Sequence, residues 1–160
     1  MARGQRMLVK NTYYHVYNRG NQKQTVFLDE EDYISFLDLL KHYKRKFGFK
    51  LYSYCLMPNH FHLIIFPRKP EALPEIMKPI CQTYTLYFNN KYKKVGHLWQ
   101  GRFKNRMIGK NDYLLDCIAY IESNPVRANL AAAPIDYSWS SYKQRTLGDN
   151  HMLIDIPDAT

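Results

Sequence analysis

The sequence has few cysteines and no long apolar run, and each scarcity excludes a class of protein. Its three cysteines, Cys55, Cys81 and Cys117, are far apart and odd in number, so they fit neither a disulfide framework nor a zinc motif. Reduced, buried thiols of this kind are typical of a cytoplasmic protein. No apolar stretch approaches the roughly 20 residues of a membrane-spanning helix. The basic start, residues 1–10, lacks the apolar segment of a signal peptide.

Acidic residues are also scarce, and this sets the expected partner. The 160 residues include 23 lysines and arginines against 14 aspartates and glutamates, which gives a formal net charge of +9. Such a charge favours a polyanion, most simply a nucleic acid. An acidic membrane surface is the competing partner, but no basic amphipathic helix or lipidation motif supports it. Charge alone does not choose between DNA and RNA.

Apolar and aromatic residues, in contrast, are plentiful. Hydrophobic residues make up 46% of the chain and aromatic residues 15%, which is typical of a folded globule with a sizeable core. The length fits one domain. We predict a single domain over residues 1–147 and a loosely ordered tail over residues 148–160.

Hydrophobic periodicity predicts an alternation of strands and helices. Strands are predicted at 13–18, 49–56, 60–66 and within 96–108, and helices at 29–46, 73–92 and 113–123. Pro79 lies inside the second helix and should kink or split it. The order strand, helix, strand, strand, helix, strand is that of a ferredoxin-like α+β sandwich, an antiparallel sheet with helices on one or both faces. This fold hosts many functions and does not settle the activity.

The central candidate site is a pair of histidines, His60 and His62, which follow the turn residues Pro58 and Asn59. In a strand, residues two apart point to the same face, with Cβ atoms roughly 7 Å apart. Two imidazoles at that spacing can converge on one metal ion. Apolar residues on both faces of the segment indicate a central strand. Histidines satisfied by hydrogen bonds in a partly buried strand are the alternative interpretation of such a short motif.

Basic and aromatic residues interleave in the last predicted strand region, as is typical of a surface for single-stranded nucleic acid. Unpaired bases can stack on the aromatic rings while the cations neutralise phosphates. An edge strand protected by charge is the alternative. A polar loop after the first strand carries one more cation, which could hold a phosphate or simply be solvated. The candidate DNA-contact residues are Trp99, Arg102, Lys104, Arg106 and, in this loop, Arg19.

The third predicted helix brings a tyrosine beside an amide. Tyr120 and Asn124 are four residues apart, so their side chains are neighbours on one flank of the helix. Pro125 then ends the helix. The chain has 14 tyrosines, and a half-buried packing role is the default for each, so composition alone does not select Tyr120.

Four blocks, taken together and in order, carry a resemblance to a known family. They are His60-Phe61-His62, residues 99–104, residues 120–127 and residues 139–142. The chain resembles the single-tyrosine HUH transposases and, more closely, the REP-associated tyrosine transposases. These are relatives of the small insertion-sequence transposases that act on single-stranded DNA. The resemblance covers roughly residues 13–143. It implies a ferredoxin-like core, a divalent metal and a tyrosine nucleophile on a helix.

The resemblance also implies roles for individual residues. His60 and His62 would be metal ligands, and Tyr120 would be the nucleophile. Asn124 falls where the insertion-sequence relatives carry a glutamine that serves as a third ligand. An asparagine oxygen can also bind a hard cation such as Mg²⁺ or Mn²⁺, although its side chain is one methylene shorter. The step from Asn124 to Pro125 favours the REP-associated branch.

The implied reaction is nicking and rejoining of single-stranded DNA, at hairpin (REP-like) sequences, through a 5′-phosphotyrosine intermediate. A phenol, with an ordinary pKa of about 10, must be positioned or deprotonated to attack. Tyr113 and Tyr142 are the alternatives to Tyr120. Other possible functions are a dimeric insertion-sequence transposase with shared active sites and a non-catalytic nucleic-acid-binding domain. We expect a monomer or homodimer that is cytoplasmic and associated with the nucleoid.

Overall fold

The computed structural model describes residues 12–109, 111–148 and 153–157, and every structural statement below refers to these residues. The sheet has four strands: β1 (Tyr13–Arg19), β2 (Lys50–Met57), β3 (His60–Phe66) and β4 (Lys104–Ile108). Their order is β2-β3-β1-β4, and each neighbouring pair is antiparallel. The predicted ferredoxin-like α+β sandwich is confirmed.

Two long helices make the crossovers between strands, and three shorter ones follow the sheet. In chain order the helices are α1 (Glu30–Phe47), α2 (Ala72–Tyr92), α3 (Asn111–Glu122), α4 (Asn124–Arg127) and α5 (Tyr142–Leu147). Helix α2 continues through Pro79 and is not split. Among the described helices, none combines the length and the apolar character needed to cross a membrane.

The ends of α1 follow from its sequence. The Asp29 carboxylate accepts a hydrogen bond from the Asp32 backbone amide and so caps the first turn. Acidic residues lie in that turn and basic residues in the last one, as the helix dipole favours. Gly48 ends the helix with a φ of 67°, a left-handed conformation that glycine adopts without strain.

The alternation of residues in β3 divides the core between the two faces of the sheet. Phe61, Leu63 and Ile65 are fully buried in the larger core with α1 and α2. Ile64 points the other way and packs with Ile118 of α3. Helices therefore cover both faces, and β3 lies between β2 and β1 at the centre of the sheet. The histidines of β3 share the face of Ile64, so they point toward the α3 side.

Two segments differ from the simplest sequence expectation. Only residues 104–108 of the predicted strand region 96–108 form a strand, because Leu98 and Trp99 are buried in the larger core instead. The second segment is the C-terminal one, which was predicted to be a loosely ordered tail. There the Ile154 side chain is 3% exposed, and the Asp155 backbone amide donates to the Leu51 carbonyl at 2.7 Å. The division into a domain over residues 1–147 and a tail stays a prediction, since residues 1–11 and 149–152 lie outside the described part.

Candidate active site

His60 and His62 lie at the start of the central strand, where hydrogen-bonded neighbours fix the backbone. His62 pairs with Tyr17 of β1 on one side and with Cys55 of β2 on the other. The two imidazole rings are perpendicular, and their centroids are 5.1 Å apart. A strand paired on both sides gives these side chains a rigid base, as a metal site requires.

Hydrogen bonds orient both imidazoles. The Nδ1 atom of His60 is 2.7 Å from the Asn59 side-chain oxygen, which can only accept, so Nδ1 carries the proton. The Nδ1 atom of His62 is 2.9 Å from Nε2 of His15. Both histidines therefore use Nδ1 for a protein partner and leave Nε2 for another ligand. Partners of this kind fix the tautomer and ring orientation of metal-binding histidines.

Burial keeps this histidine cluster neutral. It lowers the pKa of His62 to about 3, and the neighbouring His15, His60 and Arg127 act in the same direction. The pKa of His15 is lowered to about 4 by burial and by the charge of Arg106. Burial and then Arg19 lower the pKa of His60. Because a metal binds the neutral imidazole, the histidines have the required protonation state at neutral pH.

Tyr120 and Asn124 come to the same pocket from the other side. Tyr120 is near the end of α3 and is 54% exposed, and Asn124 begins α4. The pocket has a volume of about 590 Å³ and is lined by both of these residues together with His60 and His62. Its basic lining residues are Arg19, Lys23 and Lys104.

Arg127 holds the tyrosine and the asparagine together. Its guanidinium carbon is 4.2 Å from the centroid of the Tyr120 ring. Its Nη2 atom donates to the Tyr120 carbonyl at 2.8 Å and to the Asn124 side-chain oxygen at 3.1 Å, and Nη1 donates to the Ser123 hydroxyl. A cation over an aromatic face is attractive by roughly 0.5 to 1 kcal/mol at an exposed site.

A buried carboxylate anchors the end of α3 that carries Tyr120. Glu122 is 3% exposed and accepts from Arg145 Nη2 at 2.9 Å and from the Ser53 hydroxyl at 3.3 Å. The Ser141 hydroxyl is a third partner. Because Ser53 belongs to β2 and Arg145 to α5, this network ties the end of α3 to the sheet and to the last helix.

The predicted DNA-contact residues lie in different places. Arg19 and Lys104 line the pocket of the histidines. Arg106 is exposed on β4 opposite His15, outside the lining of that pocket. Trp99 is 7% exposed, and its indole N–H donates to the Cys81 carbonyl at 3.3 Å, so most of the ring is unavailable for base stacking. Arg102 lines a second cavity.

The other predicted residues can be placed as well. Tyr113 is 65% exposed on α3 but does not line the pocket, and neither does Tyr142.

Across the described ranges, no group of three or more histidine, cysteine or acidic residues is arranged to hold a metal ion. The predicted ligands among the residues that line the pocket are the two imidazoles and the Asn124 amide oxygen, which also accepts from Arg127.

Sequence reasoning gave no role to His15 or to Arg127. Alternation along β1 puts His15 on the same face as Tyr17, but the sequence does not give the register that brings it to His62. Arg127 follows Tyr120 by seven residues, two helical turns, and this spacing could have suggested the contact.

Comparison with known proteins identifies the family and the fold. The sequence profile of a family described as "Transposase IS200 like" matches residues 8–124. A solved structure of a REP-associated tyrosine transposase bound to a REP hairpin is 17% identical, with a TM-score of 0.77, and the match covers 100% of this chain and 94% of that one. A putative transposase from Deinococcus radiodurans R1 is 19% identical, with a TM-score of 0.50 over 77% and 97% of the two chains. No curated protein gave a significant match.

Proposed function

This chain belongs to the IS200-like transposase family, and we propose that it nicks and rejoins single-stranded DNA with Tyr120 as the nucleophile. The observation that carries the proposal is the pocket that Tyr120 and Asn124 share with His60 and His62. Each of these residues has a chemical use in phosphodiester cleavage, and the chain brings them together from two distant segments.

A divalent cation, Mg²⁺ or Mn²⁺, fits the donors of this pocket. His60 and His62 would hold it through Nε2, because Nδ1 of each ring already has a protein partner. The Asn124 oxygen has two lone pairs and can bind the cation while it accepts from Arg127. When bound, the metal supplies charge neutralisation and orientation to the scissile phosphate.

The protein's own residues perform the rest of the reaction. The Tyr120 oxygen attacks the phosphorus, so a bond to the tyrosine forms while the bond to the 3′ oxygen of the preceding sugar breaks. The phenolic proton is released, and the departing oxygen takes up a proton to become a 3′-hydroxyl. One phosphodiester replaces another, so the step is reversible and needs no nucleotide hydrolysis. Arg19, Lys23 and Lys104 supply positive charge for the neighbouring phosphates.

We propose hairpin DNA as the substrate, since the solved transposase with the same fold is bound to a REP hairpin. A dimeric insertion-sequence transposase with shared active sites is the second candidate. The pocket favours the first, because one chain supplies both the histidines and the tyrosine. A DNA substrate would place the protein with the nucleoid in the cytoplasm. DNA binding without catalysis does not require an exposed tyrosine in one pocket with neutral histidines.

A covalent-adduct assay tests the proposal. A labelled hairpin oligonucleotide with single-stranded flanks is incubated with the protein and Mg²⁺ or Mn²⁺, then separated on a denaturing gel. We expect a protein–DNA adduct that disappears in Tyr120→Phe, while DNA affinity is retained. Tyr113→Phe is the matched control, because Tyr113 lies on the same helix, is exposed, and is outside the pocket. An adduct that persists in Tyr120→Phe would exclude Tyr120 as the nucleophile, and its loss in Tyr113→Phe would assign the role to Tyr113.

A further inference from the structure

A second cavity lies beside the active-site pocket, between α2 and the loop that precedes β4. It has a volume of about 810 Å³, and we call it the α2 groove. Its floor is apolar and includes the buried side chains of Met77, Leu98 and Phe103. Asn18 lines both the α2 groove and the active-site pocket, and its side-chain amide donates to the Gly101 carbonyl at 3.2 Å. The two cavities are therefore neighbours that share a wall.

The edge of the α2 groove is basic and exposed. Lys78 lies on α2, and His97 and Arg102 lie on the facing loop. None of the described residues that line the groove is acidic. Leu86, which is 71% exposed, extends the apolar floor toward solvent. An apolar floor with a cationic edge complements a nucleotide, whose base presents a planar apolar face and whose phosphate is an anion.

We propose that the α2 groove binds one unpaired nucleotide of the DNA strand, next to the segment that occupies the active-site pocket. This inference rests on the proposed function, which brings a single strand to the shared wall at Asn18. The base packs against the floor, and its phosphate lies near Arg102 or Lys78. An unpaired nucleotide is required, because a base inside a duplex keeps its faces stacked and cannot turn one toward the protein.

Such a site has a role in the proposed reaction. Two cations and an apolar floor, joined to the active-site pocket by the wall at Asn18, fix the strand at a defined distance from Tyr120, so the groove sets which phosphodiester is cut. Binding energy gained at a neighbouring nucleotide is used to orient the reacting one. The α2 groove thus selects the cut position, and the residues of the active-site pocket carry out the cleavage.

Equilibrium binding of abasic oligonucleotides tests this site without catalysis. Fluorescein-labelled hairpins with single-stranded flanks, each lacking the base at one flank position, are titrated with protein in the absence of divalent metal. Stacking of one base typically contributes enough that its removal at the bound position should weaken binding about tenfold, with little effect at other positions. A profile without any sensitive position would overturn the proposal.

Variants of exposed groove residues assign the sensitive position. Gln82→Trp fills the groove from α2, and Leu86→Glu, as a second variant, puts an anion at its edge. In both we expect the normal hairpin to bind about as weakly as the abasic one, so that the abasic penalty disappears. Lys41→Glu, an exposed change on α1 outside the groove, should keep the full penalty. If the penalty persists in folded Gln82→Trp and Leu86→Glu, the base lies elsewhere and the groove has another occupant.

The same set of variants separates this inference from the proposed reaction. At saturating DNA, Gln82→Trp should still form the Tyr120 adduct, but with the cut spread over neighbouring positions. An abasic penalty that maps to the groove, in a protein that forms no adduct with any metal, would retain the groove and exclude the nicking reaction. If the protein forms an adduct with DNA cut at one position but shows no abasic penalty, the nicking reaction is supported and the nucleotide site in the α2 groove is excluded.

Discussion

Replacing His15 tests whether the histidine cluster is built as a metal site. A metal on Nε2 of His62 requires the proton on Nδ1, and in His15→Leu this Nδ1–H would lose its partner, Nε2 of His15, which lies 2.9 Å away. A buried donor left unsatisfied costs about 1 to 3 kcal/mol. Loss of such an orienting partner typically lowers metal affinity about 10- to 100-fold, which corresponds to roughly 1.4 to 2.8 kcal/mol. Because the two free energies agree, we expect His15→Leu to bind Mn²⁺ about 10- to 100-fold more weakly than the wild type.

Calorimetric titration of Mn²⁺ into the purified protein measures the effect directly. His15→Gln provides an oxygen acceptor at the same place and should recover most of the affinity. His42→Leu is the matched control, because His42 is exposed on α1 and outside the pocket, and it should bind Mn²⁺ as the wild type does. Folded His15→Leu with unchanged Mn²⁺ affinity would refute the view that His15 orients a ligand.

Two further predictions concern the helix that carries the nucleophile. Glu122→Ala removes a carboxylate that is 3% exposed and leaves Arg145 without its ion-pair partner, so urea denaturation should show a loss of about 3 kcal/mol in the free energy of unfolding; a loss below 1 kcal/mol would contradict this account. Arg127→Lys keeps the positive charge but loses the guanidinium group that donates to both the Tyr120 carbonyl and the Asn124 side-chain oxygen. The adduct should therefore form about tenfold more slowly, while DNA affinity changes less than twofold. Equal slowing in Arg127→Ala and no slowing in Lys143→Ala, an exposed control on α5, would agree with a positioning role.

Features that follow the two-residue period of a strand or the 3.6-residue period of a helix could be predicted from the sequence. In β3, apolar residues occupy both faces of the strand, and this pattern predicted a central strand with both histidines on one face. In α3, the four-residue spacing predicted that Tyr120 and Asn124 would be neighbours, although the helix ends at Glu122 and Asn124 begins the next one. The helix predicted over residues 29–46 corresponds to α1, which begins at Glu30 and ends at Phe47.

Contacts between distant segments were not predictable, because they depend on register and on competition for the core. His15 reaches His62 only because β1 pairs with β3 in one particular register. Trp99 sits in a run that favoured a surface strand, yet its ring packs against Phe61 and Phe36, where burying a large aromatic side chain contributes more than exposing it for stacking. Nothing in the local sequence distinguishes these two outcomes.

The site has two halves, the histidines on β3 and Tyr120 on α3. The structures that support each half limit how DNA strands could be exchanged. The histidines project from a strand paired on both sides, and Tyr120 lies two residues before Glu122, whose buried network joins α3 to β2 and α5. Neither half can move far without breaking a buried ion pair or the sheet. In the proposed reaction the covalently held 5′ end therefore stays beside the histidines. Exchange by this chain then requires a new 3′-hydroxyl to enter the same pocket.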